Sequence, residues 1–393
     1  MNVPRFEGGE KALRQALILA GVGLLLTLLL GLFDAERALQ AYHVAVVYFT
    51  GVAVGALLIN MAFQAAQAKW YVLIRRVVES IPLALPVLAV LFIPVLVGAK
   101  SLFPWMEPAG LDEELRELVH HRHAYLNLGF FLVRAVFYFA LWIGIGQLLY
   151  GWSLRQDQGG EAALTLWQRR LGAGGLPFVG LAMTFAAFDW QMSLDLHLAS
   201  TIFGLYFFAG SFLAAFAVVI LAVSASHAEG LPAPLMNKNH YHSLGKYLLA
   251  FVAFWGYIAF SQYLLIWIAN LPEEVPWYLS RNRGSWAVLA VLLVGFQFLV
   301  PFFALLSRPL KENPKRLRAM AIYLLVVHYI DVYWVMMPAL RKEHSLAPHL
   351  VDLTAFVGVG AAAVACVIWR MRGRAAIPVG DPYLADSLRY DPS

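Results

Sequence analysis

The chain has 393 residues, of which 61% are hydrophobic and 13% are charged. Soluble domains carry about 25% charged residues, so this composition excludes a soluble globular protein and indicates a polytopic membrane protein. A single cysteine, Cys366, excludes a disulfide framework, a cysteine-ligated zinc site and an iron–sulfur cluster held by this chain alone. The sequence has no Cys-x-x-Cys-His motif for a c-type haem, and no basic block long enough to predict nucleic acid as a partner.

Ten segments are apolar over a length that crosses about 30 Å of hydrocarbon as a helix. They lack the alternation of barrel strands, so the predicted fold class is an all-α polytopic membrane protein. The first segment is predicted to be a retained helix, since no small-residue signal-cleavage site follows Phe33. The predicted spans are 15–33, 43–66, 78–99, 124–150, 175–195, 199–224, 244–270, 284–307, 319–340 and 351–370.

The distribution of positive charge predicts the orientation of these spans. Lysine and arginine collect on the cytoplasmic side of a membrane. If the N-terminus is inside, the inner segments hold 20 of the 29 lysines and arginines and the outer loops hold 8. We therefore predict that both termini are cytoplasmic and that residues 371–393 form a cytoplasmic tail.

Prolines and glycines predict two local features of the helices. Pro82, Pro86 and Pro94 fall in the third span and predict a bend there, because proline removes a helical hydrogen bond. Gly51 and Gly55 in the second span predict a close approach to another helix.

Four ionisable residues fall inside the predicted spans, namely Arg134, Asp189, His328 and Asp331. Charged groups at this depth are costly and commonly mark ion or proton routes. Helical rise predicts that Arg134, Asp189 and Asp331 lie at similar depth, and His328 shares a helix face with Asp331. Arg134 between the two carboxylates would neutralise buried charge. Either a static ion-pair cluster or a central proton relay is compatible with this set.

Other polar residues extend this set towards both surfaces. His123, Asp195 and His197 lie towards the outside and are candidates for an exit. Glu79 lies near the inner end of the third span, where it is either an entry group or a carboxylate that reaches to the membrane surface beside neighbouring arginines. All are candidates for a proton pathway, and none is predicted to be catalytic.

An alternative reading places a quinone site at the outer ends of the fifth and sixth spans. A quinone pocket combines apolar walls with a proton acceptor, and Asp195 or His197 beside Trp190 and Phe203 would supply both.

The histidines do not favour a bound haem or metal ion. A bis-histidine haem needs two histidines facing each other at one depth, and of the eleven only His328 lies well inside a predicted span. His120 and His123 are spaced for metal binding, but solvated loop histidines are commoner. We therefore expect no metal and no cofactor on this chain.

Two motifs give the chain a family resemblance. One is FDWQMSLDLHLASTIFGLYFFAGS over 188–211, and the other is FSQYLLIWIANLPEE over 260–274. Together with His328, Asp331 and Trp334 they resemble the ActF-type membrane subunit of bacterial alternative complex III, in the NrfD-like (polysulfide reductase membrane-subunit) superfamily. The resemblance covers essentially the whole chain.

The resemblance implies a fold, a function and partners. The fold is ten helices, eight of them in two four-helix bundles, in the bacterial inner membrane. The complex is a quinol:electron-acceptor oxidoreductase of an electron transport chain, with quinone and quinol as its substrate pair. Haem c and iron–sulfur clusters belong to the partner subunits, which are the c-type cytochromes, the iron–sulfur subunit, the NrfD-like sister subunit and small membrane subunits; lipids and the quinone pool surround them.

The resemblance leaves the role of this subunit open, as proton-conducting partner or as quinone-binding subunit. Many relatives carry an aspartate just before the seventh span, where this chain has Ser243. A proton route through that carboxylate is therefore in doubt, and His242 or Glu79 are the candidate substitutes. A structural scaffold for the redox subunits and a stand-alone solute transporter are the remaining alternatives.

Overall fold

The computed structural model describes residues 5–6, 9–159, 162–224, 232–272, 274–341, 346 and 348–392. These residues form helices and connecting segments without a β-strand, and ten helices are long and apolar enough to cross a membrane. The predicted fold class, an all-α multi-pass membrane protein, is confirmed. The ten helices are α1 Glu10–Gly31, α2 Ala35–Ala65, α3 Val72–Val97, α4 Leu128–Gly159, α5 Ala162–Trp190, α6 Phe203–Ser224, α7 Lys238–Ala269, α8 Gly284–Leu306, α9 Pro314–Leu340 and α10 Leu350–Met371.

Each predicted span corresponds to one of these helices, and the differences lie at the ends. Helix α2 begins at Ala35 rather than at residue 43, because the Asp34 side chain accepts a hydrogen bond from the Arg37 amide and starts the helix before the apolar stretch. Helices α4 and α5 continue well beyond their apolar segments, to Gly159 and back to Ala162. Hydropathy detects only the apolar part of such helices.

Eight of the helices form two four-helix bundles, as the resemblance implies. The first bundle consists of α2, α3, α4 and α5, and the second of α6, α7, α8 and α9. The bundles meet chiefly where α2 packs on α6, while α1 and α10 pack on each other beside the first bundle. Helix α2 is therefore almost wholly buried, because 94% of the residues in its most apolar stretch lie inside the protein.

Two glycines allow α2 and α6 to approach closely. A Cβ atom on Gly51 would lie 2.5 Å from Ser211 Oγ, and one on Gly55 would lie 2.7 Å from the Ser211 carbonyl oxygen. Real Cβ atoms do not come this near, so only glycine fits at either position. The predicted close contact of the second span is confirmed.

Two helices are locally irregular. Helix α3 changes to a 3₁₀ turn over Ile81–Ala84, which contains Pro82, one of the three prolines for which the sequence predicted a bend. Helix α8 contains a π-helical turn over Val294–Leu299. Such turns are common at functional sites because they rotate one side chain out of the regular helical face, and here Gln297 is fully buried.

The two ends of the bundles have different coverings. The segment 372–392 after α10 packs on one end, which we call the tail side; the opposite end, with the short helices Glu113–Arg122 and Val275–Arg281, is the loop side. Hydrogen bonds of 2.9 Å join the backbone of Phe6 to Gly373 and Arg374. Both ends of the described chain therefore lie on the tail side.

Candidate functional site

The first bundle holds a buried ion pair between α4 and α5. Arg134 Nε and Nη2 donate to the two carboxylate oxygens of Asp189, both at 2.8 Å, and the Tyr138 hydroxyl donates to Asp189 at 2.9 Å. The guanidinium stacks on the ring of Tyr125 at 3.9 Å and donates to the Tyr125 carbonyl at 2.9 Å. We call Asp189, Arg134 and Tyr138 the Asp189 site. Its carboxylate has a fixed, bidentate countercharge.

An aromatic cluster fills the first bundle beside this site. The ring of Trp190 lies 4.6 Å from that of Phe92 and 5.6 Å from that of Phe139, and Trp142 stands edge-on to it at 5.9 Å. Trp190 is therefore a core residue of the first bundle. The cluster puts apolar rings between the Asp189 site and the tail-side half of this bundle.

The second bundle holds a different acidic site, between α6, α7, α8 and α9. The Tyr206 hydroxyl donates to Asp331 Oδ1, while Trp255 Nε1 and Gln297 Nε2 donate to Asp331 Oδ2 at 3.2 and 3.3 Å. His328 Nδ1 lies 3.5 Å from Asp331 Oδ2. We call these five residues the Asp331 site. Both Asp331 and His328 are buried, at 1% and 3% exposure.

The imidazole of His328 is held at the contact between the bundles. Its ring lies 5.4 Å from the ring of Tyr48 on α2 and directly against Gly210 on α6, where a Cβ atom would overlap the ring. His328 Nδ1 has no hydrogen-bond partner among the described residues. The ring therefore faces Asp331 with an unsatisfied nitrogen.

The four ionisable residues form two separate sites, whereas the sequence predicted one cluster. Among the described residues no hydrogen bond or ion pair joins Arg134 to Asp331. The two carboxylates also differ in their distance from the ends of their helices. Asp189 lies in the last turn of α5, whereas Asp331 lies about 14 Å of helical rise before the end of α9. Hydropathy extended the fifth span to residue 195, but the chain leaves the helix at Trp190 and stays buried in an irregular segment.

The predicted exit residues lie on the loop side, and only one of them meets a charged group. Asp195 lies 3.9 Å from Arg281, whose guanidinium stacks on Trp277 at 3.8 Å and donates to the Val335 carbonyl at 2.6 Å. Burial lowers the pKa of Arg281, and the Asp195 carboxylate opposes this shift. His197 contributes its backbone amide to Asp195 at 3.1 Å. His123 caps the short helix Glu113–Arg122 and is exposed, away from α4.

A cavity of about 330 Å³ opens on the loop side beside the end of α5. Its walls are mainly apolar, and Asp195 is its one acidic residue; Phe188, Met192 and Leu196 are among the others. Of the predicted quinone-site residues, only Asp195 lines this cavity. Trp190 belongs to the aromatic cluster, and Phe203 stacks on Tyr206 in the second bundle at 6.3 Å.

Glu79 lies deep in the tail-side half of the first bundle. It is 2% exposed and lies 3.2 Å from Arg75 Nε and 3.5 Å from Arg76 Nε. The interpretation that it reaches to the membrane surface is therefore wrong. The two arginines supply its countercharge, and the Ser153 hydroxyl lies beside it.

Polar side chains and the tail surround Glu79. Arg75 is bonded to Asp381 of the tail and to Ser153, and Arg76 is paired with Asp157 at 2.7 Å. A chain of amide hydrogen bonds crosses the same half of the bundle. Gln64 donates to Gln168 at 3.3 Å, Gln168 donates to Gln156 at 3.3 Å, and Gln156 donates to the Thr165 hydroxyl at 2.6 Å. The tail-side end of the first bundle is therefore polar, and buried apolar residues such as Leu85, Leu88 and Leu149 separate it from the aromatic cluster.

The start of α7 does not supply a buried carboxylate. Ser243 bonds to the Tyr390 hydroxyl of the tail at 3.0 Å, and Lys246 is exposed. The neighbouring His240 contacts the Ser387 carbonyl at 3.0 Å through Nε2. The tail therefore covers Ser243.

Sequence reasoning missed several members of these sites. It also missed His43, outside these sites, which is fully buried without a hydrogen-bond partner among the described residues. The predicted span placed His43 at a helix end, whereas α2 begins two turns earlier. Tyr206, Trp255 and Gln297 were not recognised as partners of Asp331. Gln297 is an amide inside an otherwise apolar span, and this feature of the sequence could have indicated a buried polar partner.

The described residues contain no group of three histidine, cysteine or acidic side chains suited to a metal ion. No protein-family model and no curated protein matches this sequence. The family therefore stays a prediction from the two motifs.

Proposed function

We propose that this chain is an integral membrane subunit of a quinol:electron-acceptor oxidoreductase of the alternative complex III kind, and that it takes part in proton translocation coupled to quinol oxidation. Support comes from the two motifs over 188–211 and 260–274 and from the ten-helix, two-bundle arrangement that the resemblance implies. On this proposal the haem c groups, the iron–sulfur clusters and the quinone chemistry belong to partner subunits in the bacterial inner membrane. The tail side, with both described chain ends, would face the cytoplasm.

The observation that carries the proposal is the Asp331 site. A carboxylate buried among apolar helices costs free energy unless it is paired or protonated. Three uncharged donors and one histidine surround Asp331, so its protonation can change without breaking a fixed ion pair. A carboxylate with only a structural role is expected to have a fixed countercharge, as Asp189 has in Arg134.

The two ends of the molecule supply groups for entry and exit. Glu79 and the amide chain provide polar contacts on the tail side, and Arg281 with Asp195 provides them on the loop side. Tyr206, which bonds to Asp331, lies one helix turn after the loop-side start of α6. A proton leaving Asp331 would therefore move towards the loop side through Tyr206.

The test measures protons released per quinol oxidised by the purified complex reconstituted in vesicles. Asp331→Asn keeps the shape of the side chain and removes its charge, and we expect proton release to fall while the subunit content is unchanged. Asp386→Asn is the matched control, because Asp386 lies in the exposed tail and its side chain is 51% exposed. Normal proton release by the Asp331 variant would contradict the proposal and leave a packing role.

A second candidate function, a quinone site in this subunit, is favoured by the cavity at the loop side. A volume of about 330 Å³ is in the range of small-molecule pockets, and its apolar walls suit a quinone ring. The Asp195 carboxylate would accept a proton from the quinol hydroxyl, and Arg281 lies behind it to hold the charge.

A photoreactive quinone analogue tests the cavity directly. The site would be supported if the analogue labels Met192 or Phe188 and excess quinone suppresses this labelling. The labelling should also be lost in the Met192→Trp variant. Leu181→Trp is the control, since Leu181 is exposed on the outer face of α5. Labelling that excludes this chain altogether would assign quinone binding to the partner subunits.

A further inference from the structure

The two acidic sites use helices of the same order in the two bundles. In each bundle the carboxylate belongs to the fourth helix, Asp189 on α5 and Asp331 on α9, and the third helix supplies a donor to it. That donor is Arg134 on α4 in the first bundle and Gln297 on α8 in the second. The third helix thus supplies a guanidinium to one carboxylate and an amide to the other.

This difference decides the net charge of each site. At the Asp189 site the carboxylate and the guanidinium sum to zero. At the Asp331 site the donors Tyr206, Trp255 and Gln297 are uncharged, and no lysine or arginine of the described chain is bonded to Asp331. An ionised Asp331 therefore leaves one negative charge without compensation in a buried place, and such a site favours the binding of a cation.

His328 is positioned to become that cation. Its Nδ1 lies 3.5 Å from Asp331 Oδ2 and has no hydrogen-bond partner. The ring packs against Gly210 and Tyr48. The titratable groups that face the pair from the neighbouring helices are the phenols of Tyr206 and Tyr48, and phenols are uncharged at neutral pH.

We propose that the His328–Asp331 pair is the proton-loading site of this chain, that the imidazole accepts the proton, and that Gln297 keeps the site loadable because it is not a fixed cation. One proton binds to a ring nitrogen and no other covalent bond changes, so the net charge goes from minus one to zero. A proton added at the Asp189 site would instead leave a buried positive charge, which assigns that site to holding α4 against α5. The inference rests on the proposed proton-translocating function and deepens it.

The test observes the proton on the imidazole rather than transport. The full chain is labelled with ¹⁵N-histidine, reconstituted in lipid, and its ring-nitrogen signals are recorded across the neutral pH range. We expect an imidazolium signal that disappears in His328→Asn and falls with rising pH. His43, buried without a carboxylate partner, is the internal reference whose signal should not differ between the variants.

Two further variants identify the cause. Gln297→Arg places a fixed cation beside Asp331 and should lower the imidazolium fraction about tenfold, because like charges disfavour the protonated ring. Asp331→Asn keeps the shape of the side chain and should also lower the imidazolium fraction. This variant keeps the test decisive if the arginine variant does not fold. A neutral His328 throughout in the unmodified chain, or an imidazolium that survives in Asp331→Asn, would overturn the inference.

Failure of this inference and failure of the proposed function give different results. If His328 titrates as expected but Asp331→Asn leaves proton release unchanged, the site loads a proton without being part of translocation. If proton release depends on Asp331 while His328 stays neutral, the function stands and the carboxylate alone carries the proton.

Discussion

Arg134 and Asp189 lie side by side across α4 and α5, with two N–H···O bonds of 2.8 Å that engage both carboxylate oxygens. Lysine cannot form this pair of parallel bonds. We expect Arg134→Lys to destabilise the folded chain by about 2 kcal/mol and Arg134→Ala by about 3–5 kcal/mol, because the alanine variant leaves an unpaired buried carboxylate. Thermal unfolding in detergent measures both.

The control for this pair is Asp189→Asn combined with Arg134→Gln. Replacing both charges by amides removes the buried ions together, and such replacements are often close to neutral. A double variant as unstable as Arg134→Ala would show that the pair contributes through its shape rather than through its charge.

Gly210 on α6 holds the imidazole of His328 by the absence of a side chain. A methyl group there would overlap the ring, so we expect Gly210→Ala to displace His328 from Asp331 and to destabilise the chain by about 1–3 kcal/mol. Proton release should fall with it.

Gly144→Ala on α4 is the matched control. A Cβ at Gly144 meets nothing within 4 Å, and alanine favours helix over glycine by about 0.5–1 kcal/mol. Unfolding temperatures should therefore shift in opposite directions for the two variants. A stabilising effect of Gly210→Ala would contradict the described packing of His328.

Asp381 in the tail is bonded to Arg75 in α3, and both side chains are 2% exposed. Asp381→Ala leaves the guanidinium buried with fewer partners, and we expect a loss of about 3–5 kcal/mol. Limited proteolysis should then cleave within 376–392, since the tail loses its central anchor. Asp386→Asn, in the same tail but in an exposed pair with Lys69, should leave the cleavage pattern unchanged.

The spans were predictable because apolar length alone marks a membrane helix. The pairing of His328 with Asp331 followed from their spacing, and Arg134 was expected near Asp189 from their depth. The partners of Asp331 were not predictable from the residues, because α6, α7 and α8 are apolar nearly all round and their sequences do not indicate which face turns inwards. The π-helical turn that carries Gln297 has no sequence signature of its own.

The contacts on the tail side were also not predictable from the sequence, for a different reason. Glu79 and its two arginines lie close together in the sequence, which predicted Glu79 to be either an entry group or a carboxylate that reaches to the membrane surface. Their burial depends on Asp157 and Asp381, which are distant in the chain and approach only after folding. Long-range compensation of charge is a property of the packed bundle, and hydropathy and local spacing do not report it.

The bond between Arg75 and Asp381 joins groups that are far apart in the order of synthesis. Arg75 enters the membrane region with the third of ten helices, whereas Asp381 follows all ten in the chain. Until the ribosome has passed residue 381, the first bundle contains an arginine whose final partner does not yet exist. Until then Arg75 has its partners within the first bundle, such as Glu79 and Ser153, so we expect the tail-side half of that bundle to be complete only when the tail has docked.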